Sequence, residues 1–456
     1  MLNLRNLAGL LLLNTSVALG ALLPDLDPFY RPPAGYESKA PGAVLRSRLI
    51  VPSFSGVVIA PVEAHQLLYR TSAIDGSAIS TVTTIFKPLA GAKTDRFISF
   101  QTAYDSAATR CDPSYTYQLG SLVTSDLITE VEEFLIQAYL LSGYIVVSSD
   151  YEGPEAAFGA GRLAGMGVLD SMRAVINYGG PLGLTAQNPM IVGTGYSGGS
   201  IATGWAASLQ PKYAPELNIK GWSMGGTPAN LTGTAYYVDG TVFAGFLPPA
   251  LVGLSRTSTY GSSIQSVFSQ DITTAGNAAL DFASKNCGPD DVIALAFKSI
   301  LSTNFQKLGS SFFSQPQIAA VLAKQTMGVN PDETPKPPVY MYHAPGDEII
   351  PYNDAHTTFN AWCADGASVT FNTVKDGGHA TTEIVGFPQS FKFVTGAFSA
   401  TPTSGCNEIT STEDLEPLAL GLNLEPITVK LINALNIAGH QDINIKNDPS
   451  TLKKTT

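Results

Sequence analysis

The residues best suited to chemistry lie in Gly195-Tyr196-Ser197-Gly198-Gly199. A Gly-x-Ser-x-Gly pattern suits a tight strand-to-helix turn. Small residues flanking the serine let neighbouring segments approach while the serine takes a strained backbone. Its hydroxyl then stands at a helix N-terminus, and the amide of Gly198 points at an oxygen that becomes negative during attack. An apolar Met190-Ile191-Val192 precedes the motif, and Ile201-Ala202-Thr203-Gly204-Trp205-Ala206-Ala207 can continue it as a helix. A second copy, Gly221-Trp222-Ser223-Met224-Gly225, also follows a strand pattern, but Pro228 soon after it is hard to place inside a helix. Ser197 is therefore the preferred nucleophile, and Ser223 reads as a strand-end residue near the pocket. The implied chemistry is acyl transfer through a covalent intermediate.

An activated serine needs a base and the base needs an orienting carboxylate, here in the order Ser, Asp or Glu, His. The chain has 5 histidines: His65, His343, His356, His379 and His440. His65 precedes the serine in a β-rich run and reads as structural. His343 ends a strand immediately before the acid candidate. His356 falls on a helix after Asp354 and faces solvent, and His440 sits in the tail. His379 follows Asp376-Gly377-Gly378, a loop beyond a late strand, where the serine can be reached. For the acid, Asp347 lies in the turn His343-Ala344-Pro345-Gly346-Asp347-Glu348 just past a strand end. Asp354, Asp365 and Asp376 compete with it and read as caps or turn residues.

The elements that must position these groups follow from periodicity. Strands are expected at 44–51, 65–71 and 80–87, then at 96–102, 144–149, 190–197, 219–224, 339–342 and 369–374. Helices are expected at 128–141, 166–178 and 199–209. The later alternation predicts an α/β protein with a mainly parallel sheet flanked by helices. The alternation stops over 227–337, which reads as an inserted helical cap. The core then spans 21–226 and 338–400, and 401–456 form a C-terminal tail or flap that folds back over the body.

Composition excludes several classes. The 456 residues are 44% hydrophobic and 14% charged, with a net charge of −11, which fits neither a disordered regulator nor a nucleic-acid binder. Residues 1–20 read as a secretory leader, with Arg5, an apolar run and a small-residue cleavage site at Ala18-Leu19-Gly20. No later run has the roughly 18 apolar residues of a transmembrane helix. An oxidising compartment lets the 4 cysteines, Cys111, Cys287, Cys363 and Cys406, pair in one of several connectivities. Asn230-Leu231-Thr232 is a glycosylation sequon, whereas Asn14-Thr15-Ser16 lies in the leader. No metal site or cofactor is expected. There is no close cysteine pair, no Gly-x-Gly-x-x-Gly opens a helix, and Asp150 and Glu152 read as a structural strand end.

Several stretches beyond the serine motif resemble the fungal secretory lipases of the Candida antarctica lipase A type. They are Asp27-Pro28-Phe29-Tyr30, Ser148-Ser149-Asp150-Tyr151-Glu152-Gly153, Tyr213-Ala214-Pro215-Glu216-Leu217-Asn218-Ile219, Gly225-Gly226-Thr227-Pro228 and Asp347-Glu348-Ile349-Ile350-Pro351-Tyr352. The resemblance implies an α/β-hydrolase fold with a helical cap. It implies Ser197, Asp347 and His379 as catalytic residues, and an oxyanion hole of Asp105 and Gly198. It also implies the pairs Cys111–Cys287 and Cys363–Cys406. One departure concerns Phe100 and Ala103, which stand where the family has tyrosines before the oxyanion aspartate. The expected protein is a secreted, monomeric triacylglycerol lipase with a lipid or small-molecule ester as substrate and transient contact with a lipid interface. The rival readings are a small-molecule esterase, an acyltransferase and a non-catalytic binding protein on the same fold.

Overall fold

The computed structural model describes residues 20–54, 57–58, 62–122, 126–399 and 404–456; the leader read over 1–20 lies outside them except for Gly20. Among the described residues there are twelve strands, most of them runs rich in β-branched and aromatic residues. They are β1 Val44–Ile50, β2 Ser53–Phe54, β3 Val57–Val58, β4 Val62–Ser72, β5 Ala78–Pro88, β6 Lys93–Gln101, β7 Tyr144–Ser149, β8 Met190–Tyr196, β9 Ile219–Gly225, β10 Val339–His343, β11 Val369–Lys375 and β12 Asn407–Thr412. β2 and β3 pair with each other, and the rest form one sheet in the order β1-β4-β5-β7-β6-β8-β9-β10-β11-β12. Neighbours from β7 through β12 run parallel. β1, β4 and β5 join antiparallel at one side.

The central strands are apolar on both sides because both sides are covered. Phe97, Ile145 and Ile191 enter the core on one face, and their chain neighbours Ile98, Val146 and Val192 enter the core on the other. Helices Leu127–Leu141 and His379–Gly396 pack on the second face through Val131, Leu135, Ile384 and Phe387. Helices Gly161–Asn177, Ser197–Tyr213 and Tyr352–Ala364 pack on the first through Val168, Met172, Trp205 and Phe359.

Between β9 and β10 the described chain is helical. Its helices are Leu231–Val238, Leu247–Leu254, Gly261–Asp271, Thr274–Ala283, Gly288–Leu295 and Pro316–Ala323. The tail contains more order than the sequence predicts. β12 extends the sheet beside β11, and helices Glu425–Ala438 and Ile443–Asn447 follow. Disulfides join Cys111 to Cys287, which ties the segment after β6 to a helix of the insertion, and Cys363 to Cys406, which ties the tail to helix Tyr352–Ala364. Among the described residues no helix is long and apolar enough to cross a membrane.

Candidate active site

Ser197 is the first residue of helix Ser197–Tyr213, directly after β8, and its φ is +49°. A non-glycine residue in this left-handed region is held there by its surroundings. Gly195 makes the turn possible, since a Cβ there would lie 2.5 Å from the Gly199 carbonyl oxygen. The helix therefore starts two residues earlier than its apolar pattern predicts, and Ser197 is only half-buried in an otherwise buried junction.

The Ser197 hydroxyl lies 2.8 Å from His379 Nε2, and His379 Nδ1 lies 2.7 Å from Asp347 Oδ2. A carboxylate accepts, so Nδ1–H donates to it and leaves Nε2 free to take the Ser197 proton. Asp347 sits just past β10, only 1% exposed. Its Oδ1 accepts the amides of Ile349 (2.9 Å) and Ile350 (2.7 Å). His343 Nε2 is 3.1 Å from Oδ2. Burial alone would raise this carboxyl, but His379 and His343 hold it well below the usual carboxylate range. Burial works against charge on His379 as well, yet Asp347, followed by Glu348 and Asp442, holds the imidazolium up to about 9.

His379 is not on a loop, as the sequence predicts, but is the first residue of helix His379–Gly396. Asp376-Gly377-Gly378 is the short loop its residues predict, between β11 and the helix, and the helix begins directly after it. The ring packs at 5.2 Å, tilted, against Tyr196, whose hydroxyl donates to the His379 carbonyl at 2.7 Å. Serine and histidine are thus fixed through adjacent positions of the chain.

Beyond β6, Asp105 also has a positive φ, +40°. The strand end before it is held by Tyr151, whose hydroxyl donates to the Thr102 carbonyl (2.7 Å), and by Glu132, which accepts the Ala103 amide (2.8 Å). Asp105 Oδ1 is closed to solvent without a partner, and burial pushes the carboxyl up to about 6 against the opposing charge of His379. Gly198 is the second residue of its helix, where the amide has no partner within the helix. Asp105 and Gly198 line the same cavity as Ser197, with the Asp105 carboxylate in the space a side chain at residue 198 would take. Two such amides can stabilise an oxyanion there.

Two cavities meet at Ser197. One, about 720 Å³, is bounded by insertion and core side chains that include Val238, Phe246, Leu251, Phe313 and Ile201. The other, about 1070 Å³, also reaches Asp105 and His379 and has Glu133, Glu383 and the Cys111–Cys287 bridge in its wall.

The remaining candidates lie elsewhere. Ser223 is not at a strand end near the pocket. It is fully buried inside β9, its hydroxyl 2.8 Å from that of Ser390. β9 continues past it to Gly225, and no helix follows to form an elbow. His65 contacts Glu63 (2.7 Å), while His356 and His440 lie near Glu408 and Glu413. Asp354 is on helix Tyr352–Ala364, Asp365 ends it, and Asp376 is an exposed turn residue. Asp150 is buried and accepts the amide of Ser114 at 2.8 Å, and Glu152 is buried nearby. Asn230 is half-buried and caps helix Leu231–Val238 by accepting the Gly233 amide. No group of three or more His, Cys, Asp or Glu side chains among the described residues is placed to hold a metal.

Three contributors to the site went unread in the sequence. Tyr237 donates to the Asp347 carbonyl (2.9 Å), Glu348 accepts the His379 amide (3.2 Å), and Asp442 of the tail accepts the next two amides. Tyr237 and Asp442 are remote in sequence and unmarked by any motif, and Glu348, although it adjoins Asp347 in a family-like stretch, carries no sign of its role.

Known proteins resemble this chain along most of its length. The family described as secretory lipase matches residues 117–406. A secreted triacylglycerol lipase of Malassezia furfur is 42% identical over 408 residues, covering 88% of this chain and 82% of that protein. One from Malassezia restricta is 40% identical, covering 93% and 90%. The crystal structure of Candida antarctica lipase A in its closed state is similar at a TM-score of 0.80 and 32% identity, covering 90% of this chain and 96% of that one.

Proposed function

The chain belongs to the secretory lipase family and has an α/β-hydrolase fold, and from that premise we propose that it is a secreted triacylglycerol lipase working through an acyl-enzyme. The observation that carries the reading is the nearly all-apolar cavity of about 720 Å³ that ends at Ser197. It offers a fatty acyl chain a dry channel with its ester carbonyl at the nucleophile.

In this mechanism Ser197 Oγ attacks the ester carbonyl as its proton passes to His379 Nε2, 2.8 Å away. Asp347 stabilises the resulting imidazolium. The amides of Gly198 and Asp105 receive the oxyanion. Collapse breaks the bond to the glyceride oxygen, which leaves with the proton from Nε2. Water, deprotonated by the same nitrogen, then attacks the acyl-enzyme and frees the fatty acid and Ser197. All these groups come from one chain, so a monomer is a sufficient catalyst. Residues 227–337 serve as the cap, and exposed Tyr236 and Phe297 on it suit brief contact with a lipid surface. Residues 1–20 are the leader that directs secretion.

The test is fatty-acid release from emulsified triolein. Wild-type protein should release it, and Ser197→Ala should lower turnover by at least about 10³-fold. Inactivity on triolein together with activity on acetate esters would replace the lipase reading with that of a small-molecule esterase.

A further inference from the structure

Helix His379–Gly396 begins at the residue that faces the nucleophile. The first amides of any helix have no partner within it, and an Asp, Ser or Thr just before the helix usually takes them. Here that position is Gly378, which has no side chain to offer. The amides are held from elsewhere: that of His379 by Glu348 (3.2 Å), that of Ala380 by Asp442 Oδ2 (2.7 Å), and that of Thr381 by Asp442 Oδ1 (2.9 Å). A Cβ on residue 378 would lie 2.5 Å from Asp442 Oδ2. Glycine is therefore the residue that admits the remote cap.

We infer that Asp442, from the C-terminal tail, is a positioning residue for the ester hydrolysis proposed above: it grips the two amides after His379 and so sets where the imidazole stands at Ser197. The inference rests on that reading of Ser197 and His379. Asp442 is 0% exposed, and both it and Gln441 have left-handed backbones, φ +61° and +52°. Strain at two consecutive non-glycine residues persists only where the surroundings demand it. Lys446, from the helix after Asp442, reaches Glu348 at 3.2 Å and offsets the paired acidic groups. The tail is then part of the machinery, although it contributes no reacting atom. An imidazole displaced by about 1 Å is expected to slow the reaction on the order of 10²-fold, because the proton must pass along one hydrogen bond.

The experiment uses the full secreted chain as wild type, Asp442→Asn, Asp442→Ala and Ser197→Ala. Active sites are counted by fluorophosphonate labelling carried to completion, and kcat per labelled site and KM are measured on soluble p-nitrophenyl butyrate. Asp442→Ala should lower kcat per labelled site by about 10- to 100-fold with KM within about threefold, and Asp442→Asn, which keeps one acceptor oxygen, by about three- to tenfold. Wild-type kcat per labelled site in both variants would overturn the inference, even with fewer labelled sites, since the tail would then only stabilise the fold. If Asp442→Ala does not fold, an unchanged kcat in Asp442→Asn overturns it alone. Activity retained in Ser197→Ala would instead reject the reading of the site, a separable outcome.

Discussion

Asp105 and Gly198 come from two different strand ends, yet a methyl group added at residue 198 would sit 1.6 Å from Asp105 Oδ1. The amides proposed for the oxyanion hole belong to these two residues, and the Asp105 carboxylate fills the space that a side chain at residue 198 would need. Gly198→Ala must displace the buried Asp105 carboxylate and so disturb the donor pair. Loss of about 10²–10³ in kcat is expected, as for removal of one oxyanion donor, with the protein still folded. Steady-state kinetics beside a thermal melt checks this.

The pH dependence of turnover follows from His379. The base must be neutral to accept the Ser197 proton, and the carboxylates around it hold its protonated form up to about 9. With free enzyme and a soluble ester, kcat/KM should climb with pH and level off near there. A profile that levels off near 6.5 would show an imidazole without its acidic neighbours.

Stability should run the other way. Burial pushes Glu383 and its neighbour Glu132 well above the ordinary glutamate value, and the opposing charge of His379 offsets only part of that rise at Glu383. A carboxyl with a raised folded pKa binds its proton more tightly when folded. Its contribution is complete below about 4.5 and is lost as pH rises through the raised value. His379, also raised, has the same sign, lost as pH passes about 9. The melting temperature should therefore peak at mildly acidic pH and fall toward pH 9. Glu383→Gln should flatten part of that fall, as read by calorimetry across pH.

How much of this was open to the sequence depends on where each signal lies. The elbow at Ser197, the apolar strands β7 and β8, and the order of Ser197, Asp347 and His379 are local patterns, and those elements stand where the patterns point. β12 was not legible because Asn407–Thr412 is polar and largely exposed, so its pairing with β11 alone makes it a strand. The helix at His379 escaped because Gly377 and Gly378 read as a loop, and its cap arrives from Asp442, 62 residues beyond the amide it holds. Ser223 shows that the motif alone does not make an elbow. Its pattern matches, but the chain continues as strand through Gly225 with no helix directly after it.

The apolar cavity makes its own prediction. Leu251 lines it and is 6% exposed. Leu251→Trp takes up volume in this cavity and so shortens the room for a long chain. Hydrolysis of palmitoyl esters should fall by about tenfold or more, while butyryl esters change by less than about threefold. Unchanged hydrolysis of both chain lengths would place the acyl chain in the larger cavity instead.

The most direct test of the Ser197–His379–Asp347 arrangement is fluorophosphonate labelling read by mass spectrometry of the active-site peptide, at neutral pH. Ser197 should carry one adduct per chain within minutes. His379→Ala should slow labelling by at least about 10³-fold, because the hydroxyl loses its base. An adduct on Ser223, or an equal rate without His379, would contradict it.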